Sequence, residues 1–168
     1  MDYGNDLEHT LTTDLFYDVD THNGLVNLMP LLFNQIGKEQ RVNGSLDLML
    51  SDSMLSQHGL RSLSRYDVEY HEGRDGWRGN VWVKSNFLAL RGLNKYHKRF
   101  NRGVGVRYSV DDAEQLIKNG LLKAAWVEWQ DKGVFVEAVD DRTGKAAGRK
   151  RFANINALLL LISADFFA

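Results

Sequence analysis

Three stretches of this chain are apolar around most of a helical projection: "GLVNLMPLLFNQI" (24–36), the run holding Val81, Phe87, Leu88, Leu90, Leu93 and Tyr96 (80–96), and "NINALLLLISADFF" (154–167). A helix that lies on a protein surface keeps a wide polar face, so helices of this kind need cover on both sides, as in a layered helical barrel or bundle. Pro30 fits only near a helix start, which places the first helix from about Asn27 to a stop at Gly37. Residues 40–50 form a second, with Val42, Leu46 and Met49 on one face. Ser109 and Asp112 make a capping-box pattern that opens the longest helix, where Ala113, Leu116, Ile117, Leu121 and Ala124 recur at helical spacing before Gly133.

Beyond Gly133 the period changes. "VFVEAV" alternates, so Phe135, Glu137 and Val139 share one face if the segment is extended. "DDRTGK" then reads as a turn. The expected class is all-α, with one short extended segment near the C-terminus. The length of 168 residues fits a single unit, and at this size roughly 68–70% of the unfolded surface is buried on folding.

Composition narrows the partners. A formal net charge of -1 gives no global basic field, so nucleic acid is not an expected partner. The longest apolar run, "ALLLLI" (157–162), is too short to span a bilayer, and no membrane segment or targeting signal is expected. With no cysteine there are no disulfides, thiol nucleophiles or thiolate metal sites. No metal or other cofactor is implied.

The richest loop is "YHEGRDGWRGNVWVKSNFLAL" (70–90). Its glycines allow backbone to approach a ligand, Arg78 offers a planar fork of donors, and the faces of Trp77 and Trp82 suit the C–H face of a sugar ring. The plainer alternative makes both tryptophans core residues and pairs Arg78 with Asp75 or Glu72. Glu137 is the second candidate. Set between Phe135 and Val139 on one face it would be desolvated, which raises a carboxyl toward general acid or base use; the alternative is a charged residue guarding an edge strand. "KYHKRFNR" (95–102) is basic and aromatic as an RNA contact would be, though its cations equally complement a helix C-terminus.

"GLRSLS" (59–64), "WRGNVW" (77–82) and "NFLALRGL" (86–93), in that order and spacing, resemble the C-terminal part of the catalytic domain of glycoside hydrolase family 63, whose eukaryotic members are processing α-glucosidase I, the mannosyl-oligosaccharide glucosidase. "DYGN" (2–5), "LMPLLF" (28–33), "GVFVEAVDDRTGKAAGRKRF" (133–152) and "LLLLISADFF" (158–167) fall where the family has similar segments. The resemblance covers nearly the whole chain. It implies part of an (α/α)6 toroid with the site at one mouth, and an inverting mechanism in which an aspartic acid and a glutamic base stand roughly 6.5–9.5 Å apart to admit a water. Glu137 stands at the base position. Trp77, Arg78, Gly79, Trp82 and Arg61 map onto sugar-binding positions.

The departures bear on activity. Val136 and Ala138 replace the family's tryptophan and glutamine around the base, and Ala153 to Ala157 replace its His-Gly-Trp-Thr-Ser. The general-acid region lies upstream of what this chain matches, so the isolated chain is expected to be inactive unless an upstream segment or a complementing chain supplies the acid. By resemblance the substrate is an N-linked oligosaccharide and the place of action the endoplasmic reticulum lumen. The alternative is a non-catalytic relative serving as a glycan-binding or assembly module.

Overall fold

A computed structural model of the chain describes residues 22–73, 76–100, 108–150 and 153–164. "DYGN" (2–5), Asp75 and residues 101–102 therefore lie outside the described part. Helix α1 spans Leu25–Leu32 and α2 Glu39–Met49; a hairpin of β1 (Leu55–Ser56) and β2 (Gly59–Leu60) follows. After a long loop come β3 (Val81–Trp82), α3 (Val83–Phe100), α4 (Val110–Lys132), β4 (Val136–Val139), β5 (Ala146–Lys150) and α5 (Ala153–Ser163).

The helices follow the sequence pattern with local shifts. Helix α1 begins at Leu25, before the expected Asn27, because Asn27 turns back to accept the Gly24 N–H at 2.8 Å and closes the first turn. Pro30 therefore sits inside the helix. The carbonyl it leaves without a donor belongs to Val26 on the exposed side, where water can satisfy it. Helix α2 buries Val42, Leu46 and Met49 as its spacing predicts. Helix α4 is capped at both ends: Ser109 Oγ accepts from the Asp112 N–H at 3.1 Å, the Ser109 N–H returns to Asp112 at 2.9 Å, and Gly133 closes the other end at φ 65°. Leu116, expected inward, is exposed.

The expected single extended segment has partners. β4 is the central strand of an antiparallel sheet in the order β3-β4-β5, with Val81 opposite Val139 and Trp82 opposite Ala138. The helix expected from residue 80 begins instead at Val83, because Val81 and Trp82 are used as strand. β4 to β5 closes through the "DDRTGK" turn, where the Asp140 N–H donates to the Lys145 carbonyl at 2.8 Å.

One core joins these elements. Leu28, Leu31, Val42, Met49, Leu90, Leu93, Tyr96, Ile117 and Leu121 are fully buried in it. Within it the Ile36 N–H donates to Tyr96 Oη at 2.9 Å, and the buried Asn86 amide accepts from the Leu60 N–H at 2.8 Å while donating to the Leu60 and Trp82 carbonyls. Asn86 thus acts as a strand partner for β2, and it hangs the hairpin on the first turn of α3. Phe87 and Leu88 are only half-buried, and Val26, Phe33, Trp126, Val127, Trp129 and Leu160 are exposed, so these helices are not covered on every side among the described residues.

At Gly92 of α3, a Cβ would stand 2.8 Å from the Leu32 Cα and carbonyl oxygen and 3.0 Å from the Leu31 carbonyl. Backbone meets backbone there. Gly92→Ala gains about 1 kcal/mol of helix propensity but overpacks a contact that cannot relax by side-chain rotation, at a cost of about 2–3 kcal/mol. A net fall of several degrees in melting temperature is expected by circular dichroism; an increase would show that α1 and α3 separate freely.

Candidate functional site

The loop between β2 and β3 is tied down by charged and aromatic side chains. Its centre is Asp141, in the turn after β4, whose carboxyl is fully buried. Asp141 Oδ2 accepts from Arg61 Nε at 2.6 Å and from Tyr70 Oη at 2.5 Å, and Oδ1 lies 2.6 Å from His71 Nε2. Arg61, 8% exposed, also donates from Nη1 to the Asp52 and Leu55 carbonyls at 2.9 and 2.7 Å. Burial pushes the Asp141 carboxyl upward, but bonds from Tyr70, Arg61 and His71 outweigh it and hold the group below the ordinary carboxylate value. The same burial, with the bond to Asp141, raises the Tyr70 phenol to about 12, so Tyr70 remains a donor.

Gly79 makes this convergence possible. At φ 120°, a Cβ on it would lie 2.5 Å from the Tyr70 ring, so only glycine lets Tyr70 pass over the backbone to Asp141. His71 adopts a left-handed φ of 58°, which its bond to Asp141 and the 2.8 Å bond from its N–H to the Arg78 carbonyl hold in place. That backbone bond closes the loop and presents Trp77 and Arg78 at its tip.

Trp77 and Trp82 stack nearly parallel, with ring centroids 4.1 Å apart and planes 7° apart. Trp82 is 7% exposed and donates from Nε1 to the Gly76 carbonyl at 2.9 Å, whereas Trp77 is 53% exposed. The inner ring supports the outer one. Trp77 and Arg78 line a cleft of about 570 Å³ between α1, this loop and the first turns of α3. Its floor is Leu25, Met29, Leu63 and Leu88, and its polar wall includes His22, Glu69 and Lys84. The volume is that of a small-molecule site. Arg78 pairs with Glu69 at 3.5 Å, and touches Glu72 only through that residue's carbonyl at 3.4 Å.

The structure therefore divides the candidates. Trp77 and Arg78 line the cleft, Trp82 backs Trp77, Gly79 gives passage to Tyr70, and Arg61 anchors Asp141 from inside. Glu137 is half-buried on β4, one residue before the Ala138 that faces Trp82; the buried positions on that strand are Val136, Ala138 and Val139. It sits on a central strand, so the edge-guard alternative does not apply. Glu137 is not among the residues lining the cleft. The side chains of residues 153–156, where the family's aromatic is replaced, lie outside the described ones. Sequence reasoning missed Asp67, Glu69, Tyr70, His71 and Asp141. The acidic residues set between aromatic and aliphatic ones in "YDVEYHE" (66–72) were the available signal, unreadable without knowing which groups the loop meets.

His71, Asp140 and Asp141 bring three ligand-type atoms within 4.8 Å of one another. Their lone pairs are already engaged, those of Asp141 by Arg61, Tyr70 and His71, and those of Asp140 by Arg142 and Thr143. Burial would raise Asp140, yet those bonds lower it to about 2. The Arg61 guanidinium occupies the place of a cation.

Residues 7–165 match the family described as the glycosyl hydrolase family 63 C-terminal domain. The chain belongs to that family. It is 27% identical over 146 residues to the "Probable mannosyl-oligosaccharide glucosidase" of Schizosaccharomyces pombe, an overlap that covers 86% of this chain and 18% of that protein. Two solved structures from Thermus thermophilus share the fold at 21% identity: an uncharacterized conserved protein, with a TM-score of 0.63 and 85% of this chain covered, and a GH63 mannosylglycerate hydrolase in complex with glucose, with a TM-score of 0.56 and 86% covered. Each is covered over 32% of its own length. The helix-rich architecture is that of part of an (α/α)6 toroid.

The buried groups of this family 63 chain set its response to mutation and to pH. Asp141→Ala strands the Arg61 guanidinium in the interior and should cost about 3–5 kcal/mol in chemical denaturation, whereas Arg61→Met with Asp141→Leu should cost less than the single change. Additive losses would show that the pair is not coupled. The pH response centres on His58, whose ring packs against Gly144 in the β4–β5 turn and whose Nε2 is buried with no hydrogen-bond partner. Burial lowers its pKa below 6.5, against the pull of Asp141 and Asp140. The stability tied to neutral His58 is therefore present above pH 6.5 and lost as the pH falls below it, while that tied to Asp67, Asp140 and Asp141 is lost only below 3.8. Melting temperature should drop between pH 7 and 5, and His58→Phe should flatten that segment of the curve.

Proposed function

We propose that this chain supplies the base-bearing part of an inverting α-glucosidase site that trims glucose from N-linked oligosaccharide in the endoplasmic reticulum lumen, with the general acid coming from an upstream segment or a complementing chain. The reading is supported by family membership over residues 7–165, in which resemblance gives Glu137 the base position. Trp82, which backs Trp77, pairs with Ala138, the residue next to Glu137 on β4; neighbouring strand residues face opposite ways, so this pairing does not itself turn Glu137 toward the cleft. A sugar ring laid on Trp77 uses an apolar C–H face, and Arg78 supplies donors to its hydroxyls. Glu137 deprotonates the attacking water on the face opposite the leaving group. The name of the fission-yeast relative and the glucose bound in the Thermus relative support glucosyl recognition. Among the described residues no helix is long and apolar enough to cross a membrane.

A second reading, a glycan-binding module without catalysis, is favoured by one fact: the cleft beside Trp77 is lined without Glu137. Two variants separate the readings. In an assembly that restores the acid, Glu137→Gln keeps the side chain's shape and removes the proton acceptor, so kcat should fall by roughly 10²–10⁴ with KM little changed. Unchanged turnover removes Glu137 as the base. In the isolated chain, Trp77→Ala should weaken glucose binding with the melting temperature nearly constant. A loss of about 3–5 kcal/mol of stability with glucose binding intact would make Trp77 a packing residue.

A further inference from the structure

The cleft wall carries a second side-chain pair ending in a carboxylate, besides Arg78 and Glu69. His22, on that wall, holds its Nδ1 2.8 and 2.9 Å from the two oxygens of Asp67. The two side chains differ in depth: Asp67 is 4% exposed and His22 40%. Asp67 is built into the loop, since Oδ1 also accepts the Glu69 N–H at 2.9 Å and the Asp67 N–H donates to the Ser64 carbonyl at 3.1 Å. Burial pushes its carboxyl upward, but the bonds from the Glu69 N–H and His22 prevail and keep it below its ordinary value. The group is an anion at neutral pH.

A buried carboxylate that grips one imidazole nitrogen through both oxygens fixes the tautomer and the plane of the ring, as the partners of ligand-binding and catalytic histidines do. Exposed ion pairs hold nothing so firmly. The same seven-residue strap, 66–72, sends Asp67 to His22 and Glu69 to Arg78, and so sets two cationic or donor side chains on the rim of one cleft.

We propose that His22 is a ligand-contacting residue of this cleft and that Asp67 is its positioning residue. The inference rests on the reading of the cleft as a sugar subsite. A pyranose against Trp77 carries hydroxyls around its edge, and an oriented imidazole beside an oriented guanidinium discriminates between sugars by where those hydroxyls point.

The test is a titration of the 15N-labelled full chain with glucose, following the indole signals of Trp77 and Trp82. Wild type should show a saturable shift, and His22→Gln and Asp67→Asn should each raise the dissociation constant by about tenfold, with the melting temperature of His22→Gln unchanged. The proton on His22 Nδ1 should be visible in wild type and lost in Asp67→Asn. Wild-type affinity in both variants, while Trp77→Ala weakens binding, overturns the role of His22 and leaves the sugar cleft standing. Wild-type affinity in His22→Gln, with loss only in an Asp67→Asn chain that no longer melts cooperatively, overturns it as well. No saturable shift in wild type, or no effect of Trp77→Ala, overturns the cleft reading and this inference with it.

Discussion

An arginine and an aspartate taken out of water together set the terms for this structure. Desolvating either charge alone costs several kcal/mol, and their attraction offsets that only when geometry is good and the remaining lone pairs are filled. Arg61 and Asp141 meet the condition by recruiting neighbours. Tyr70 and His71 complete the carboxylate, and the Asp52 and Leu55 carbonyls take the guanidinium. Because these partners come from two separate stretches, the strap at 66–72 and the residues from Asp52 to Leu55 that lead into β1, satisfying one buried pair fixes the β1–β2 hairpin, the strap and the β4–β5 turn against one another.

The wall of the cleft inherits that geometry. With Tyr70 and His71 anchored, the His71 N–H can close on the Arg78 carbonyl, and the loop tip has one way to present Trp77. With Asp141 anchored, β4 is held between β3 and β5, which sets Glu137 beside the residue that faces Trp82. Strands that lie far apart in the chain, β3 and β4, are thus held in one sheet.

Family membership and the site geometry speak to different questions. The match over residues 7–165 and the two Thermus folds establish what kind of domain this is part of. They leave the use of the cleft to the chemistry of its wall. There Trp77, Arg78 and Glu69 combine an apolar face with paired donors and acceptors, a combination suited to a neutral polyol rather than to a strongly charged ligand.

The sequence by itself determined the buried face of α2 and both caps of α4, since Val42, Leu46 and Met49, the Ser109–Asp112 box and Gly133 act within one or two turns of backbone. It also marked Trp77, Arg78 and Glu137 as candidates, of which Trp77 and Arg78 line the cleft. Only the tertiary structure decided what each candidate does. Arg61 turned inward because Asp141, eighty residues on, was there to meet it, and Gly79 proved to be a gap for Tyr70. β4 became a central strand because β3 and β5 both reached it. Those outcomes depend on pairings between distant segments, and a burial cost is settled by whichever partner arrives, which no local pattern records.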